Sequence, residues 1–275
     1  MRLFLLTAAT MLAFAANSVL NKLGVSHGGM EPLDFAMVRV WSGALMLLAL
    51  TWARRSPATV KGTAAGTVSL LVYMLGFSLA YVTLDAGVGA LILFGVVQIT
   101  MFSAAVVARE RIPVLRYVGC AVAFAGLAAL LWPVGGKPPD ASGAALMAAA
   151  GLGWGVYTLI GRGAAAPLQH TERNFRYAAI ALAVLMFVTG VPTGTPTGLA
   201  AAVLSGAITS ALGYALWYRV LPQLPTTTAA IAQLTVPVIA LAGGMVFLGE
   251  DLTIRFVLAS VLVLGGVALA LRRTG

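Results

Sequence analysis

Charged residues make up only 9% of this 275-residue chain, against about 25% in soluble domains, and no water-soluble surface can be covered with so few. Acids are the scarcest: 8 Asp and Glu stand against 17 Lys and Arg. The single cysteine, Cys120, excludes an intrachain disulfide and reads as a buried, inert thiol. The two histidines, His27 and His170, fall near expected loops, and neither His-Glu-x-x-His nor Gly-x-Ser-x-Gly occurs. The usual equipment of an intramembrane enzyme is therefore missing, and no metal or cofactor is expected. The net charge of +9 raises nucleic acid as a partner. The basic residues are scattered over short loops with no aromatic–basic face, so no nucleic-acid partner is expected.

What is present is apolar: 60% hydrophobic residues and a mean hydropathy of +0.98. A helix needs about 20 apolar residues to cross a bilayer core. Ten stretches qualify, at roughly 3–23, 33–53, 63–83, 87–108, 114–132, 141–161, 174–191, 198–219, 226–248 and 253–271. None alternates over about ten residues, as a barrel strand would. Arg2 followed by an apolar run and Ala13-Phe14-Ala15 imitates a secretory signal, but a related segment recurs in mid-chain, so the first span is expected to be retained. With the N-terminus in the cytoplasm, 13 Lys and Arg fall inside, 3 (Lys22, Lys137, Arg255) fall outside, and Arg39 lies within a span. That bias orients the chain with both termini cytoplasmic.

The recurring segment is Gly153–Arg162, GWGVYTLIGR, whose weaker copy is Ala13–Lys22, AFAANSVLNK, 140 residues earlier. The same offset lays Phe77-Ser78 on Trp217-Tyr218, Ala90-Leu91 on Ala230-Ile231, Glu110 on Glu250 and Gly126 on Gly266. Two five-helix units are expected, 1–136 and 137–275. Because five is odd, they are inverted relative to one another, an arrangement associated with secondary transporters. The fold class expected is all-α integral membrane, with ten transmembrane helices as two inverted repeats.

The chain resembles the EamA type of the drug/metabolite transporter superfamily over essentially its whole length. The resemblance is carried by Trp154-Gly155…Arg162 and its copy Phe14-Ala15…Lys22, by Arg39 in the second span, and by Pro237 thirteen residues before the Glu250 of Gly249-Glu250-Asp251-Leu252. The first half departs from the pattern at Phe14-Ala15 and at Val97, opposite Pro237. The resemblance implies that spans 1, 3, 4, 6, 8 and 9, helped by 2 and 7, surround a central cavity, with 5 and 10 as an outer brace. Aromatic amino-acid exporters of the superfamily are a further likeness.

Candidate pathway residues follow from polarity and ring placement. Asn17, Gln98, Thr100, Gln233 and Thr235 lie inside spans, where an unpartnered amide costs about 1–3 kcal/mol. Each either bonds a neighbouring helix or serves a polar solute, and Gln98 and Gln233 are the preferred binding candidates. Trp154 and Tyr157 share a helical face, as do Tyr214 and Trp217, and Tyr73 and Phe77. Such rings either pack the bundle or offer a flat solute a wide apolar wall. Lys22 either snorkels to the outer interface or lines the path. Arg39 is expected to pair with Asp34 or Glu31, as an outer gate or as a carboxylate site. Pro237 is expected to bend span 9 near its middle and free carbonyls near Gln233. Gly151, Gly153, Gly155 and Gly161 are expected to let span 6 approach its neighbours closely.

These features imply a secondary carrier, with a channel, an intramembrane enzyme or a carrier of other drugs as alternatives. No carboxylate is expected at mid-membrane, which disfavours proton-coupled cation export. Few deep cations disfavour phosphate exchange. Small neutral, zwitterionic or aromatic solutes remain, amino acids foremost, exported across an inner membrane. The partners expected are that solute and lipid, with a monomer as the working unit.

Overall fold

The computed structural model of the chain describes residues 1–54, 62–109, 113–131, 138–162, 164, 166–224, 232–233 and 235–270. The side chains of Arg116, Leu131, Arg162, Val267 and Ala270, and the echo residue Glu110, lie outside that description. Every regular element among the described residues is helical. This follows from the composition: lipid offers no hydrogen bonds, so each backbone group must find its partner within its own segment.

Ten helical runs follow the expected order. α1 is Arg2–Lys22, continued by a π turn at Leu23–His27; α2 is Pro32–Ala53, α3 Ala64–Ala80, α4 Ala86–Val107 and α5 Val114–Leu131. α6 is Ala141–Arg162, α7 Pro167–Thr189, α9 Thr235–Leu248 and α10 Ile254–Ala270. α8 is composite: Pro196–Leu204 is α-helical, Ser205–Leu212 is π-helical, Gly213–Val220 is α-helical and Leu221–Gln223 is a 3₁₀ turn. Five of the runs (α1, α2, α4, α6 and α8) are long and apolar enough to cross a bilayer.

Local chemistry sets the ends. Pro32, Pro167 and Pro196 open their helices in the first turn, where a missing N–H costs nothing. Thr63 and Thr195 accept from the backbone N–H of Gly66 and Gly198 at 3.0 and 3.1 Å, a cap worth about 1 kcal/mol. α7 starts seven residues before the expected 174, because Pro167 nucleates a helix whose first turns are polar. Hydropathy cannot see those turns; His170, Thr171, Glu172 and Asn174 are nonetheless buried against the bundle. Residues 232–233 and Thr235–Leu248 are helical on either side of residue 234, which lies outside the description, and Pro237 stands in the second stretch.

The packing positions the site. α3 packs along α6 and α1 along α8; α4 packs along α6 and α9 along α1; α2 meets the π segment of α8 and α3 meets α7. The 140-residue shift exchanges the members within each of these three couples. α5 and α10 pack mainly on each other and on α4. The span 6 glycines do allow close approach: a methyl on Gly151 or Gly153 would stand 2.9 or 2.7 Å from the carbonyl oxygens of Leu93 and Ser69. Cys120 is half-buried rather than buried. Phe4, Leu45, Val184, Phe187 and Phe247 face outwards, as lipid-facing residues must.

Candidate functional site

The centre of the bundle is polar on one side and aromatic on the other. Asn17 of α1 is the polar hub. Its Oδ1 accepts from Ser205 Oγ at 2.6 Å and from Thr209 Oγ1 at 3.0 Å, both on the π segment of α8. Its Nδ2 donates to Tyr73 Oη of α3 at 3.4 Å. Tyr73 Oη also accepts from Arg39 Nη2 of α2 at 2.9 Å, and Arg39 Nε donates to Ser210 Oγ at 3.2 Å. Four helices thus share one network. The π segment makes it work: bonds from i to i+5 insert extra backbone and turn Ser205, Thr209 and Ser210 towards α1 and α2.

Gly206 in that segment permits the contact. A methyl there would run into the Arg39 carbonyl and Ser42 Oγ, so any other residue would hold α2 away.

The aromatic side centres on Trp154 of α6. Its ring lies 5.0 Å from Tyr73, 4.8 Å from Tyr214, 5.8 Å from Tyr157 and 6.2 Å from Phe14, centroid to centroid. Phe14 also meets Tyr214 and Trp217 edge-on, each at 6.0 Å. Each such pair adds about 0.5–1.5 kcal/mol beyond its buried area. Between the two sides lies a cavity lined by Phe14, Asn17, Ser18, Tyr73, Phe77, Leu93, Phe94, Trp154 and Tyr214. Its ≈ 10 Å³ of room suits about one water. A solute enters only when these rings part.

Of the residues expected from sequence, Asn17, Tyr73, Phe77, Trp154 and Tyr214 line this cavity. Tyr157 and Trp217 stand one ring behind. Gln98 and Gln233 are half-buried and lie off its wall. Sequence reasoning missed Ser18, Leu93, Ser205, Thr209 and Ser210. The i, i+4 hydroxyls of Ser205 and Thr209 in an apolar span were the available signal.

The charged residues fall in three places. Arg39 has no exposed surface. It does not pair with Asp34, which instead accepts from the Thr193 backbone N–H at 2.8 Å at the start of α2. The reason is geometric: five residues along a helix turns a side chain about 140° away, and only i+3 and i+4 share a face. Lys22 is the last residue of α1, its Nζ donating to the Tyr81 carbonyl at 3.3 Å with Asp85 and Glu250 close enough to act on it. At the opposite end Glu172 pairs with Arg173 and Arg176 at 3.5 and 3.6 Å. There Asn174 joins His170 Nδ1 at 3.2 Å and the Thr63 N–H at 3.0 Å. Among the described residues no cluster of three or more His, Cys, Asp or Glu is placed to hold a metal.

Helical spans enclosing a polar and aromatic chamber deep in an apolar bundle define a polytopic integral membrane protein. Residues 141–272 match the EamA-like transporter family. The chain belongs to that family, and is a membrane transporter of small metabolites. It is 45% identical over 272 residues to an uncharacterized protein of Pseudomonas aeruginosa, spanning 98% of this chain and 94% of that one. It is 26% identical over 219 residues, 78% of either chain, to a protein of Archaeoglobus fulgidus described as an uncharacterized transporter. A solved protein crystal structure shares the fold at a TM-score of 0.65 and 19% identity, over 95% of this chain and 97% of that one.

Proposed function

We propose that the chain is a secondary carrier that moves small aromatic or amino-acid solutes outwards across an inner membrane by alternating access. The observation that carries this is the central chamber, where an amide and hydroxyls face a wall of rings, with a guanidinium behind two of those rings. A flat solute with a polar end meets both sides at once, apolar area on the rings and donors on the hub. Ring stacking in a dry site adds affinity without fixing the exact ring, which suits a carrier of related solutes.

Alternating access draws on the repeated packing. Two units, 1–136 and 137–275, inverted in the membrane with both termini cytoplasmic, rock about a fixed site. The two openings then lie close in energy because similar contacts are made in each. The family match covers α6–α10, the same stretch that the internal echo sets apart. The working unit is a monomer, with no cofactor and no catalysed reaction; the polar groups of the chamber include no nucleophile–base pair.

The test is uptake of labelled tryptophan or phenylalanine into proteoliposomes. Saturable uptake that accelerates when unlabelled solute is preloaded supports the carrier. Uptake equal to protein-free vesicles overturns the substrate assignment, and linear, non-exchanging flux makes the protein a channel.

A further inference from the structure

Arg39 is an uncompensated charge at the centre of the bundle. It is 0% exposed, and arginine does not give up its proton in proteins. Among the described residues the ion pairs are those of Glu172 with Arg173 and Arg176, so Arg39 has none. Nε and Nη2 are satisfied by two neutral hydroxyls, while Nη1 is buried with no hydrogen-bond partner. The guanidinium lies over the rings of Phe77 and Tyr73, at 4.9 and 5.2 Å from their centroids. Cation–π contacts are worth about 2 kcal/mol each when desolvated. They offset part of a burial cost of several kcal/mol for a lone ion. The remainder is the signature of a site whose anion arrives from outside.

The two rings that cover the guanidinium are also two walls of the cavity. Arg39 lies behind these two packed rings, 5.4 Å apart centroid to centroid, so a ligand reaches the guanidinium only when they part. The chamber has nothing comparable for a cation: its lining carries no carboxylate. The described acids are engaged elsewhere or at the ends, with Asp34 on Thr193, Asp140 on Gly143, Glu172 on its arginines and Glu250 on α4.

We infer that Arg39 is the anion anchor of the transported solute, and that the group the carrier recognises is a carboxylate on an aromatic body. The ammonium of an amino acid is dispensable, and aromatic monocarboxylates are substrates in their own right. This rests on the reading above that the central chamber is the solute site. Nη1 and Nη2 present the planar fork that matches a carboxylate. The rings of Trp154, Tyr214 and Phe14 receive the body.

The experiment compares four indoles as competitors of labelled tryptophan in proteoliposomes and as ligands in thermal unfolding of the purified protein. They are tryptophan, indole-3-propionate (the carboxylate alone), tryptophanamide and tryptamine (the amine without a free carboxylate). Indole-3-propionate is expected to compete at least as well as tryptophan, with tryptamine and tryptophanamide weaker by about tenfold to a hundredfold, the value of one charged hydrogen-bonded contact. Arg39→Gln is expected to lose the two carboxylates by the same factor, and Arg39→Lys to recover part of the loss. Equal competition by tryptamine leaves the carrier standing and overturns the anchor. Retained indole-3-propionate affinity in a folded Arg39→Gln protein overturns it too. No competition and no tryptophan uptake removes the solute reading and the anchor with it. Where Arg39→Gln fails to fold, the wild-type series decides alone.

Discussion

Glu250, in the connection between α9 and α10, accepts the backbone N–H of Ala86 at 2.5 Å and that of Gly87 at 3.4 Å. A carboxylate from one half of the chain thereby caps the first turn of α4 in the other. It satisfies two orphan donors and sits at the positive end of the helix dipole. Because the bond joins the halves at one end of the bundle, it must lengthen if that end opens.

Glu250→Ala is expected to lower stability by about 1 kcal/mol, the value of a helix cap, and to shift a carrier towards opening at that end. Labelling of a cysteine placed beside Ala86 reads the second effect; unchanged accessibility would remove the latch.

Burial raises the Glu250 carboxyl above its ordinary 4.5, with the Ala86 N–H opposing. Between the unfolded and the raised folded value, the folded chain holds a proton that the unfolded chain has released. Stability from this group is therefore greatest at low pH, falls as pH rises through that window, and is level above it. Apparent melting temperatures of wild type and Glu250→Gln should diverge as pH rises above 4.5, with the slope of this sign lost in Glu250→Gln.

Trp154→Ala is expected to reduce uptake by about tenfold or more, since it removes the ring that four other aromatics touch, and deletion of a buried Trp costs about 3–5 kcal/mol. Gln98→Ala, off the cavity wall, is expected to cost less on both counts. Initial uptake rates per folded carrier, with folding followed by gel filtration, check the order. A larger effect at Gln98 would move the site towards α4.

The division between these residues shows what the sequence could carry. Apolar length marks most of the helices, because lipid enforces it, but not the polar first turns of α7, which starts seven residues before the expected 174. Ring pairs at i+3 and i+4 point to Trp154, Tyr157 and Tyr214. Two things escaped. Amide size favoured Gln98 and Gln233, yet the network closed through Ser205, Thr209 and Ser210, short hydroxyls that are unremarkable in any apolar helix. Their orientation depends on the π segment, and nothing in SGAITSAL announces a change from i+4 to i+5 bonding. Nearness in sequence likewise suggested Asp34 for Arg39, while the actual partners stand 34 and 171 residues away.

Gly206→Ala tests the close approach of α2 to that segment. The added methyl meets the Arg39 backbone carbonyl, which cannot rotate aside. Overpacking of this kind costs about 1–3 kcal/mol, so a drop in melting temperature is expected, with loss of the Arg39–Ser210 bond. A melting temperature equal to wild type would mean the two helices separate freely.

The hub itself is testable by a double-mutant cycle on Asn17 and Thr209. Asn17→Ala leaves the Ser205 and Thr209 hydroxyls without their shared acceptor and frees one donor from Tyr73. Thr209→Val removes one donor and keeps the shape. If the 3.0 Å bond is energetic, the double variant loses less stability than the sum of the singles, by about 0.6 kcal/mol and at most about 1.7, the range for such bonds between membrane helices. Solute affinity should show coupling of the same sign, because Asn17 lines the chamber proposed as the solute site. Strict additivity in both readouts would reduce the network to packing.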